Sequence, residues 1–416
     1  MIPRIKGTQD MLDLTLFNWV INNIKHHLNK NHFTEILLPI LESTELFKRS
    51  LGLETDVVTK EMFTLSSSKE EDSICLRPEA TASTMRAFLE HNPQALPWKV
   101  YTYGPMFRHE RPQKGRFRQF TQCNIEIIGS QNVLHDVQTI ALLDRLFQAT
   151  FLLDSYALII NFLGCTEDRQ KFKAVLYDFL TQEQANLCSA CLERKEKNIL
   201  RVFDCKNAQC KTLYQRAPEL INCLCTTCAA EWQLVKDQLE LLSVSFSYSH
   251  TLVRGLDYYD KTVFEFISTN LGAQNAFCSG GRYNHLAEQL GSKKEVPSFG
   301  AAIGIERLLL LLEPIQAILP LSQAPILHLI LPVETEQQPL ALLLADELQT
   351  HNLSVDILLE NDSLKSMLRK ANKIGARYSI IIGSDEQAVR EVTVKNMVTS
   401  SEERVKQVDL VAYLQR

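Results

Sequence analysis

The run from Phe117 to Gly129 restricts the possible folds of this chain more than any other stretch of its sequence. It has the pattern of a β-strand, in which side chains alternate between two faces. One face is mostly apolar and should be buried; it carries Gln119, Thr121, Cys123, Ile125 and Ile127. The other face combines cationic, aromatic, amide and carboxylate groups, and it carries Arg118, Phe120, Gln122, Asn124 and Glu126. Such a face suits a polar ligand, although a solvated antiparallel strand with ordinary ion pairs would also produce it.

A second strand precedes this one, from Trp98 to Arg108, and the loop HERPQKGR joins the two. The pair therefore predicts an antiparallel hairpin with a cationic turn. Several cations near one aromatic ring suit a nucleoside triphosphate, because the ring can stack on the base while arginines hold the phosphates. The sequence has neither a Walker-type phosphate loop nor a dinucleotide-binding glycine fingerprint. If ATP binds here, we expect arginines to hold it on an antiparallel sheet.

The 416 residues fit two or three domains. Residues 1–320 contain the hairpin and predict an α+β domain built on an antiparallel sheet. Within them, residues 165–245 are polar, helical and rich in cysteine, which is typical of an inserted module. After a proline-containing linker, strands and helices alternate through residues 325–416, which predicts a separate α/β domain with a largely parallel sheet.

Composition places few limits on the partners of this chain. Lys and Arg number 44 against 49 Asp and Glu, a net charge of −5, which does not indicate a nucleic-acid partner but leaves room for a local basic patch. The most apolar region, Leu308 to Val333, is interrupted by charged, amide and proline residues, so we expect no membrane span. The N-terminal residues show no secretory signal, and we expect a cytoplasmic protein.

Seven of the eleven cysteines lie between residues 188 and 228. Two C-x-x-C pairs, Cys188 with Cys191 and Cys225 with Cys228, would suit a structural Zn²⁺ bound by four thiolates. The spacing between the pairs is longer than in small zinc ribbons, and Cys205 and Cys210 could compete as ligands. Reduced thiols packed as small apolar side chains, or a metal site lost during evolution, are the alternatives.

Five stretches of the chain together resemble one known family. They are RPEATAS at 77–83, YGPMFRHERPQKGRFRQFTQCNIEIIG at 103–129, LVRGLDYYDKTVFEF at 252–266, SGGRYNHLAEQLG at 279–291 and FGAAIGIERLLLLL at 299–312. In order and spacing they resemble the histidyl-tRNA synthetases, which are class II aminoacyl-tRNA synthetases. The final domain resembles the anticodon-binding domain of that family.

The resemblance implies a role for each residue of the site. It implies Arg108 and Arg254 as the catalytic cations at the substrate carboxylate and the reacting α-phosphate. The ATP-binding residues that it implies are Arg108, Glu110, Arg116, Phe120 and Arg307. The histidine-binding residues that it implies are Glu79, Thr81, Arg108, Gln122, Glu126, Arg254, Tyr258 and Tyr259. These cations agree with the chemistry, because a carboxylate must attack a phosphate and both groups are anions.

The resemblance also implies substrates, partners and an activity. It implies histidine, ATP with Mg²⁺, tRNA(His) and a homodimer formed through the N-terminal half, in a histidine–tRNA ligase. One alternative is a non-catalytic, histidine-sensing regulatory paralogue, but such paralogues lack the C-terminal domain and lose arginines of the ATP site. Another is a free-standing ATP-using amide ligase, against which RGLDYY and the final domain argue.

One feature of the C-terminal domain bears on RNA binding. Lys365, Arg369, Lys373 and Arg377 recur every fourth residue and would form one stripe along a helix and its end. A solvated helix face explains the stripe equally simply, and the RNA-binding interpretation rests on the resemblance.

Overall fold

The computed structural model describes residues 2–52, 55–65, 73–253, 258–272, 275–321, 325–360 and 362–415. The chain separates into two compact units, Met1–Leu321 and Ser322–Arg416. The predicted catalytic residue Arg254 lies outside the described residues. In the part of the chain that is described, no helix combines the length and the apolar character needed to cross a bilayer.

The first unit is built on eleven strands and ten α-helices among its described residues. The strands are β1 Thr34–Glu35, β2 Leu41–Ser43, β3 Thr64–Leu65, β4 Ile74–Leu76, β5 Trp98–Phe107, β6 Gln119–Ile128, β7 Ala157–Phe162, β8 Ser247–Tyr248, β9 Asp260–Ile267, β10 Ala276–Arg282 and β11 Ser298–Gly304. The helices are α1 Thr15–Lys30, α2 Thr44–Leu51, α3 Thr81–His91, α4 Leu134–Arg145, α5 Thr166–Gln182, α6 Ser189–Lys197, α7 Ala208–Tyr214, α8 Thr226–Leu241, α9 Leu286–Gln289 and α10 Ile305–Leu312.

Eight of these strands form one sheet, in the order β1-β5-β6-β11-β10-β9-β7-β8. The six central strands pair antiparallel, which confirms the predicted sheet. The two-residue strands at its edges pair parallel, β1 with β5 and β8 with β7. So short a strand shows no alternation, and the sequence pattern did not predict these edge pairs. Strands β2, β4 and β3 form a small separate antiparallel sheet.

The predicted hairpin consists of β5 and β6, and both faces of β6 are covered. Cys123, Ile125 and Ile127 pack into the main core with residues of α1, α4, α8 and α10. On the opposite face Asn124 and Glu126 are each only 1% exposed. Burial of that polar face excludes the solvated strand as its explanation, because buried polar groups need partners.

The cysteine-rich module contains α5 to α8 and has a small core of its own. Phe172, Leu176, Cys191, Val202 and Leu213 belong to that core. The last helix, α8, instead packs into the main core through residues that include Trp232, Val235 and Leu239. The module is therefore anchored to the catalytic sheet by its own final helix.

The second unit is an α/β domain with a mixed sheet. Its strands are β12 Leu327–Pro332, β13 Ser354–Ile357, β14 Tyr378–Ile382, β15 Glu391–Asn396 and β16 Glu402–Lys406, and its described helices are α11 Gln338–Thr350, α12 Leu364–Lys373, α13 Ser384–Val389 and α14 Leu410–Leu414. Strands β13, β12 and β14 pair parallel, as predicted, and β15 and β16 extend the sheet antiparallel. The predicted cationic stripe is exposed, with Lys365, Arg369 and Lys373 on α12 opposite its buried Met367 and Ala371.

Candidate active site

The predicted ligand face of β6 lines a cavity of about 760 Å³, which is a typical size for a small-molecule site. Phe120, Gln122 and Asn124 all contribute to its wall. The neighbouring strand β11 places small residues beside them, since Gly304, Ala302 and Gly300 pair with Gln122, Asn124 and Glu126. A side chain at Gly300 would collide with the Glu126 carboxylate. Gly300 of the SFGAAIG run is thus required by the close approach of the Glu126 carboxylate to the β11 backbone.

Three predicted arginines converge on the Phe120 side of the cavity. The guanidinium of Arg108 lies 5.4 Å from the centre of the Phe120 ring, and its Nε donates to the carbonyl of Pro78 at 2.8 Å. Arg307, at the start of α10, donates to the carbonyls of Gly115 at 3.0 Å and Ala276 at 2.6 Å. Burial lowers the pKa of Arg307 to about 10, and nearby arginines contribute to that shift. It remains charged at neutral pH, so Arg307 and Arg108 both contribute positive charge to the wall of the cavity.

The turn between β5 and β6 brings a third arginine and a carboxylate into the same cavity. Arg116 forms an ion pair with the buried Glu110, and its second contact, with Glu61, is 4.0 Å long. The chain reverses at Gly115, whose φ of +69° favours glycine. A Cβ at Gly115 would also press on Arg307, at 3.3 Å from its Cγ. The glycine turn within HERPQKGR therefore positions both Arg116 and Arg307.

Glu79 lies at the N-terminus of α3 and also lines the cavity. Its carboxylate accepts hydrogen bonds from the backbone N–H groups of Thr81 at 2.6 Å and Ala82 at 3.0 Å. Helix N-termini stabilise negative charge. Burial nevertheless raises the pKa of Glu79, and those N–H groups and the charge of Arg108 counteract the rise. A cationic group entering the cavity would find this carboxylate already oriented.

Glu126 is buried beneath the cavity wall and does not line it directly. One carboxylate oxygen accepts from the Thr81 hydroxyl at 2.7 Å, and the other accepts from the Tyr283 hydroxyl. Burial raises the pKa of Glu126 to about 8. Tyr283 was not among the predicted site residues, although it ends the SGGRY stretch that carried part of the resemblance. The contact with histidine that was predicted for Glu126 stays a prediction.

The two predicted tyrosines line the cavity together. The ring centres of Tyr258 and Tyr259 are 4.5 Å apart, and Tyr258 also packs edge-on against Tyr283 at 5.7 Å. Burial raises the pKa of Tyr258 well above its usual value, so its hydroxyl stays protonated. The carbonyl of Tyr259 accepts from the Arg169 guanidinium of α5 at 2.8 Å. The module therefore helps to position this pair.

Two amide oxygens in the cavity wall indicate where a donor on a ligand would bind. Among the described residues, Oε1 of Gln122 and Oδ1 of Asn124 are buried without a hydrogen-bond partner. An unsatisfied buried acceptor costs about 1–3 kcal/mol. A ligand ammonium or N–H group would remove that cost.

Sequence reasoning did not identify two other contributors to the cavity. Glu306, in the first turn of α10, accepts the backbone N–H of Thr121 with both oxygens, at 2.8 and 3.0 Å, and thereby fixes α10 against β6. The cysteine-rich module supplies part of the opposite wall, including Arg194, Arg201, Lys206 and Asn207. Glu306 lies in the GIERL stretch, which carried part of the resemblance, so the sequence did contain a signal for it. No sequence pattern predicted that the cysteine-rich module lies beside the β6 face.

Comparison with known protein families shows to which family the chain belongs. The family model described as histidyl-tRNA synthetase matches residues 13–308, which is more than half of the chain. The chain belongs to the histidyl-tRNA synthetase family. A second family model, described as an anticodon binding domain, matches residues 327–416.

Individual relatives of this histidyl-tRNA synthetase family member match along the whole chain. A histidine–tRNA ligase of Halothermothrix orenii is 39% identical, over 99% of this chain and 98% of the relative. A histidine–tRNA ligase of Aquifex aeolicus is 38% identical, over 97% and 98%. The crystal structure of apo histidyl-tRNA synthetase of S. aureus superposes with a TM-score of 0.81 at 30% identity, covering all of both chains. The predicted class II fold with its C-terminal domain is therefore confirmed.

The predicted zinc ligand set of this family member is wrong as a single site. The structure places Cys188 and Cys191 with Cys205 and Cys210, and it places Cys225 and Cys228 with Cys165 and Asp168. The pairs separate because Cys225 and Cys228 begin α8, which packs into the main core, whereas Cys191 belongs to the core of the module. The structure instead places beside Cys188 and Cys191 the two cysteines that the sequence raised as competing ligands, Cys205 and Cys210.

Proposed function

We propose that the chain is a histidine–tRNA ligase, which activates histidine with ATP to histidyl-adenylate and pyrophosphate and then transfers histidine to the 3′ end of tRNA(His). The observation that carries the proposal is that one cavity combines two sets of groups. Arg108, Arg116 and Arg307 line it with the Phe120 ring, and the buried Glu79 carboxylate and two unsatisfied amide oxygens line it beside them. These two sets match a nucleotide and an amino acid whose carboxylate meets the α-phosphate between them.

The first step is an in-line displacement at phosphorus. A histidine carboxylate oxygen forms a bond to the α-phosphorus of ATP, and the bond from that phosphorus to the bridging oxygen of pyrophosphate breaks. Fixed cations offset the repulsion between the two anions and stabilise the charge of the transition state. Arg108 supplies one such cation, held in place by the Pro78 carbonyl and the Phe120 ring. Arg254, outside the described residues, is proposed as the second on the resemblance alone.

The arginine-rich set binds ATP. Phe120 stacks on adenine with Arg307 on the other side of the base, Arg116 reaches the distal phosphates, and Glu110 contacts the adenine end. The support is that all four line one cavity with Arg108. ATP enters as its Mg²⁺ complex, so the metal is part of the substrate. A structural Zn²⁺, where one is bound, belongs to the cysteine-rich module and has no role in the reaction.

The other set binds histidine. Glu79, Thr81 and Gln122 hold the α-amino group, which the buried and unpartnered Oε1 of Gln122 supports. Glu126 accepts from one imidazole nitrogen, with Tyr258 and Tyr259 beside the ring. Imidazole offers both a donor and an acceptor nitrogen, so a carboxylate and a hydroxyl together can recognise it. Tyr283 is a positioning residue, because its hydroxyl bonds to the Glu126 carboxylate.

Replacing Glu126 should impair histidine binding selectively. Glu126→Ala leaves the Thr81 and Tyr283 hydroxyls without their acceptor, at a cost of about 1–3 kcal/mol, so KM for histidine should rise about 5- to 150-fold. Glu126→Gln keeps the size but places an NH₂ donor where one of the two carboxyl oxygens accepts, and should raise KM for histidine less. Exchange kinetics with both substrates varied will measure this.

Tyr283→Phe serves as the partner variant, since it removes only the hydroxyl that orients Glu126. It should raise KM for histidine less than Glu126→Ala and leave KM for ATP nearly unchanged. A rise in KM for ATP alone in the Glu126 variants would assign this carboxylate to the nucleotide site and refute the proposed orientation of β6.

The two domains of the chain have separate proposed roles. We assign residues 1–320 to catalysis, with residues 165–245 as their insertion, and residues 325–416 to recognition of the tRNA anticodon. Unpaired anticodon bases can be read by stacking and by polar edges, so the domain need not be strongly basic. The family model that matches 327–416 supports this role.

We also propose that the chain forms a homodimer through its N-terminal half and works in the cytoplasm. The N-terminal segment exposes several large apolar side chains, including Leu12, Ile2 and Leu37, each more than 90% exposed. Burying apolar side chains of this size in an interface would be favourable, because it removes apolar surface from water. None of the eleven cysteines, all of which lie among the described residues, forms a disulfide bond, as in a reducing compartment. A monomer in sedimentation equilibrium would refute the proposed homodimer. Cell fractionation that places the protein outside the cytoplasm would refute the proposed location.

Histidine-dependent ATP–pyrophosphate exchange by the purified chain, followed by charging of tRNA(His), tests the function. We expect both activities. The regulatory paralogue is the second candidate, and it predicts histidine binding without exchange. Retention of Arg108, Arg116 and Arg307 in one cavity, and of a C-terminal domain, argues against that candidate. Exchange that depends on another amino acid but not on histidine would instead indicate a different ATP-using ligase.

A further inference from the structure

Four cysteine sulfurs of the module converge on one point. The Sγ atoms of Cys188, Cys191, Cys205 and Cys210 all lie within 4.8 Å of one another. The Sγ atoms of Cys188 and Cys205 are 3.7 Å apart, which is too long for a disulfide bond. A tetrahedral Zn²⁺ with Zn–S bonds of about 2.3 Å requires neighbouring sulfurs about 3.8 Å apart. The observed separation therefore matches one edge of such a tetrahedron.

We propose that Cys188, Cys191, Cys205 and Cys210 bind one structural Zn²⁺ through four thiolates. Soft thiolate ligands in a tetrahedral set select Zn²⁺ over hard cations. A complete set of four protein ligands leaves no position for a substrate, so the ion has a structural role. This inference does not depend on the proposed function, because metal content is measured without turnover.

The backbone around these cysteines supports thiolates. Cys188 precedes α6 and Cys191 lies in its first turn, where the helix end favours negative charge. The N–H of Cys188 points to Sγ of Cys210 at 3.4 Å, and the N–H of Asn207 points to Sγ of Cys205 at 3.4 Å. Such outer hydrogen bonds are typical of metal-bound thiolates, which they orient and stabilise.

The size of this part of the module explains why a metal would be useful. Between α5 and α8 the described helices are short, since α6 has nine residues and α7 has seven. Isolated helices of that length are unstable, and small units often rely on a metal ion for stability. Cys188 directly precedes α6 and Cys191 lies in it, Cys210 lies in α7, and Cys205 lies in the segment between the two helices. One ion would therefore join both helices and hold the wall of the cavity to which Cys188, Cys205 and Asn207 contribute.

The second cysteine cluster provides a matched control. The carboxylate of Asp168 there already accepts the backbone N–H groups of Cys225 at 2.8 Å and Cys165 at 3.2 Å. Those bonds account for the buried acid without a metal. Cys225→Ser and Cys228→Ser thus remove thiols of the same module outside the proposed site.

The test is metal analysis of the full-length protein, purified under reducing conditions without added zinc. We expect about one Zn²⁺ per chain, and substitution by Co²⁺ should give the visible absorption of a tetrahedral thiolate complex. Cys205→Ser and Cys210→Ser should each lose the ion or bind it much more weakly, whereas Cys225→Ser and Cys228→Ser should retain it. Removing the ion with a chelator should lower the melting temperature of the wild-type protein.

Two results would overturn the proposal. The first is a folded, reduced wild-type protein that holds no Zn²⁺ after incubation with Zn²⁺ and shows no thiolate spectrum with Co²⁺. The second is loss of the ion in the Cys225 and Cys228 variants while the Cys205 and Cys210 variants keep it. The wild-type measurements need no substitution, so a variant that fails to fold does not block the test.

Discussion

Arg108→Ala should lower the rate of histidine-dependent ATP–pyrophosphate exchange by about 10²–10³-fold, equivalent to about 3–4 kcal/mol of transition-state stabilisation. Arg108 lies against Phe120 in the wall of the cavity, close enough to Glu79 for its charge to oppose the rise in the pKa of that acid. In the proposed reaction it would therefore lie between the nucleotide and the amino acid, where negative charge develops. Single-turnover formation of the adenylate, measured beside steady-state exchange, will show whether the chemical step itself is slowed.

Two further variants separate the role of Arg108 from general effects of charge. Arg108→Lys keeps one cation but loses the planar fork that can bind two oxygens, so its activity should lie between wild type and Ala. Arg111→Ala removes an exposed arginine of the same loop that does not line the cavity, and exchange should be unchanged. An Arg108→Ala protein with wild-type melting temperature and near-normal exchange would remove this residue from the mechanism. Equal losses in the Arg111 variant would show that the effect is only electrostatic and long-range.

Deletion of residues 325–416 should preserve ATP–pyrophosphate exchange and sharply reduce charging of tRNA(His). The two units have separate sheets and separate apolar cores, so the first unit should fold alone and exchange within about twofold of wild type. Loss of stacking on two unpaired bases would cost about 2–6 kcal/mol, and kcat/KM for tRNA should fall by about thirtyfold or more. Charging at the full rate by the folded truncation would show that this domain does not recognise the RNA.

The exposed stripe on α12 allows tRNA binding by the C-terminal domain to be tested in the intact chain. Replacing Lys365, Arg369 and Lys373 together by Glu changes no buried residue, because all three are exposed. If the stripe contacts tRNA, KM for tRNA should rise and should depend less steeply on salt, while exchange stays constant. A variant with unchanged tRNA kinetics would identify the stripe as a solvated helix face.

Much of the site was predictable because it is encoded in local patterns. The alternation from Phe117 to Gly129 separated core residues such as Ile125 from cavity-lining residues such as Gln122, since a strand places successive side chains on opposite faces. The cationic turn before it predicted Arg116 in the cavity. Regular alternation of strands and helices predicted the α/β character of residues 325–416, because each element is long enough to show its period.

Contacts between distant parts of the chain were decided by the tertiary structure alone. Glu126 meets Tyr283 across 157 residues of sequence, and Thr121 meets Glu306 across 185. The two C-x-x-C pairs, alike in sequence, separated because α8 buries its apolar face in the main core while α6 stays in the module. Periodicity and turn chemistry act over a few residues and specify strands, helices and the faces they bury. Which faces meet depends on how the whole chain buries its apolar surface, and that packing placed Tyr283, Glu306 and the four converging cysteines.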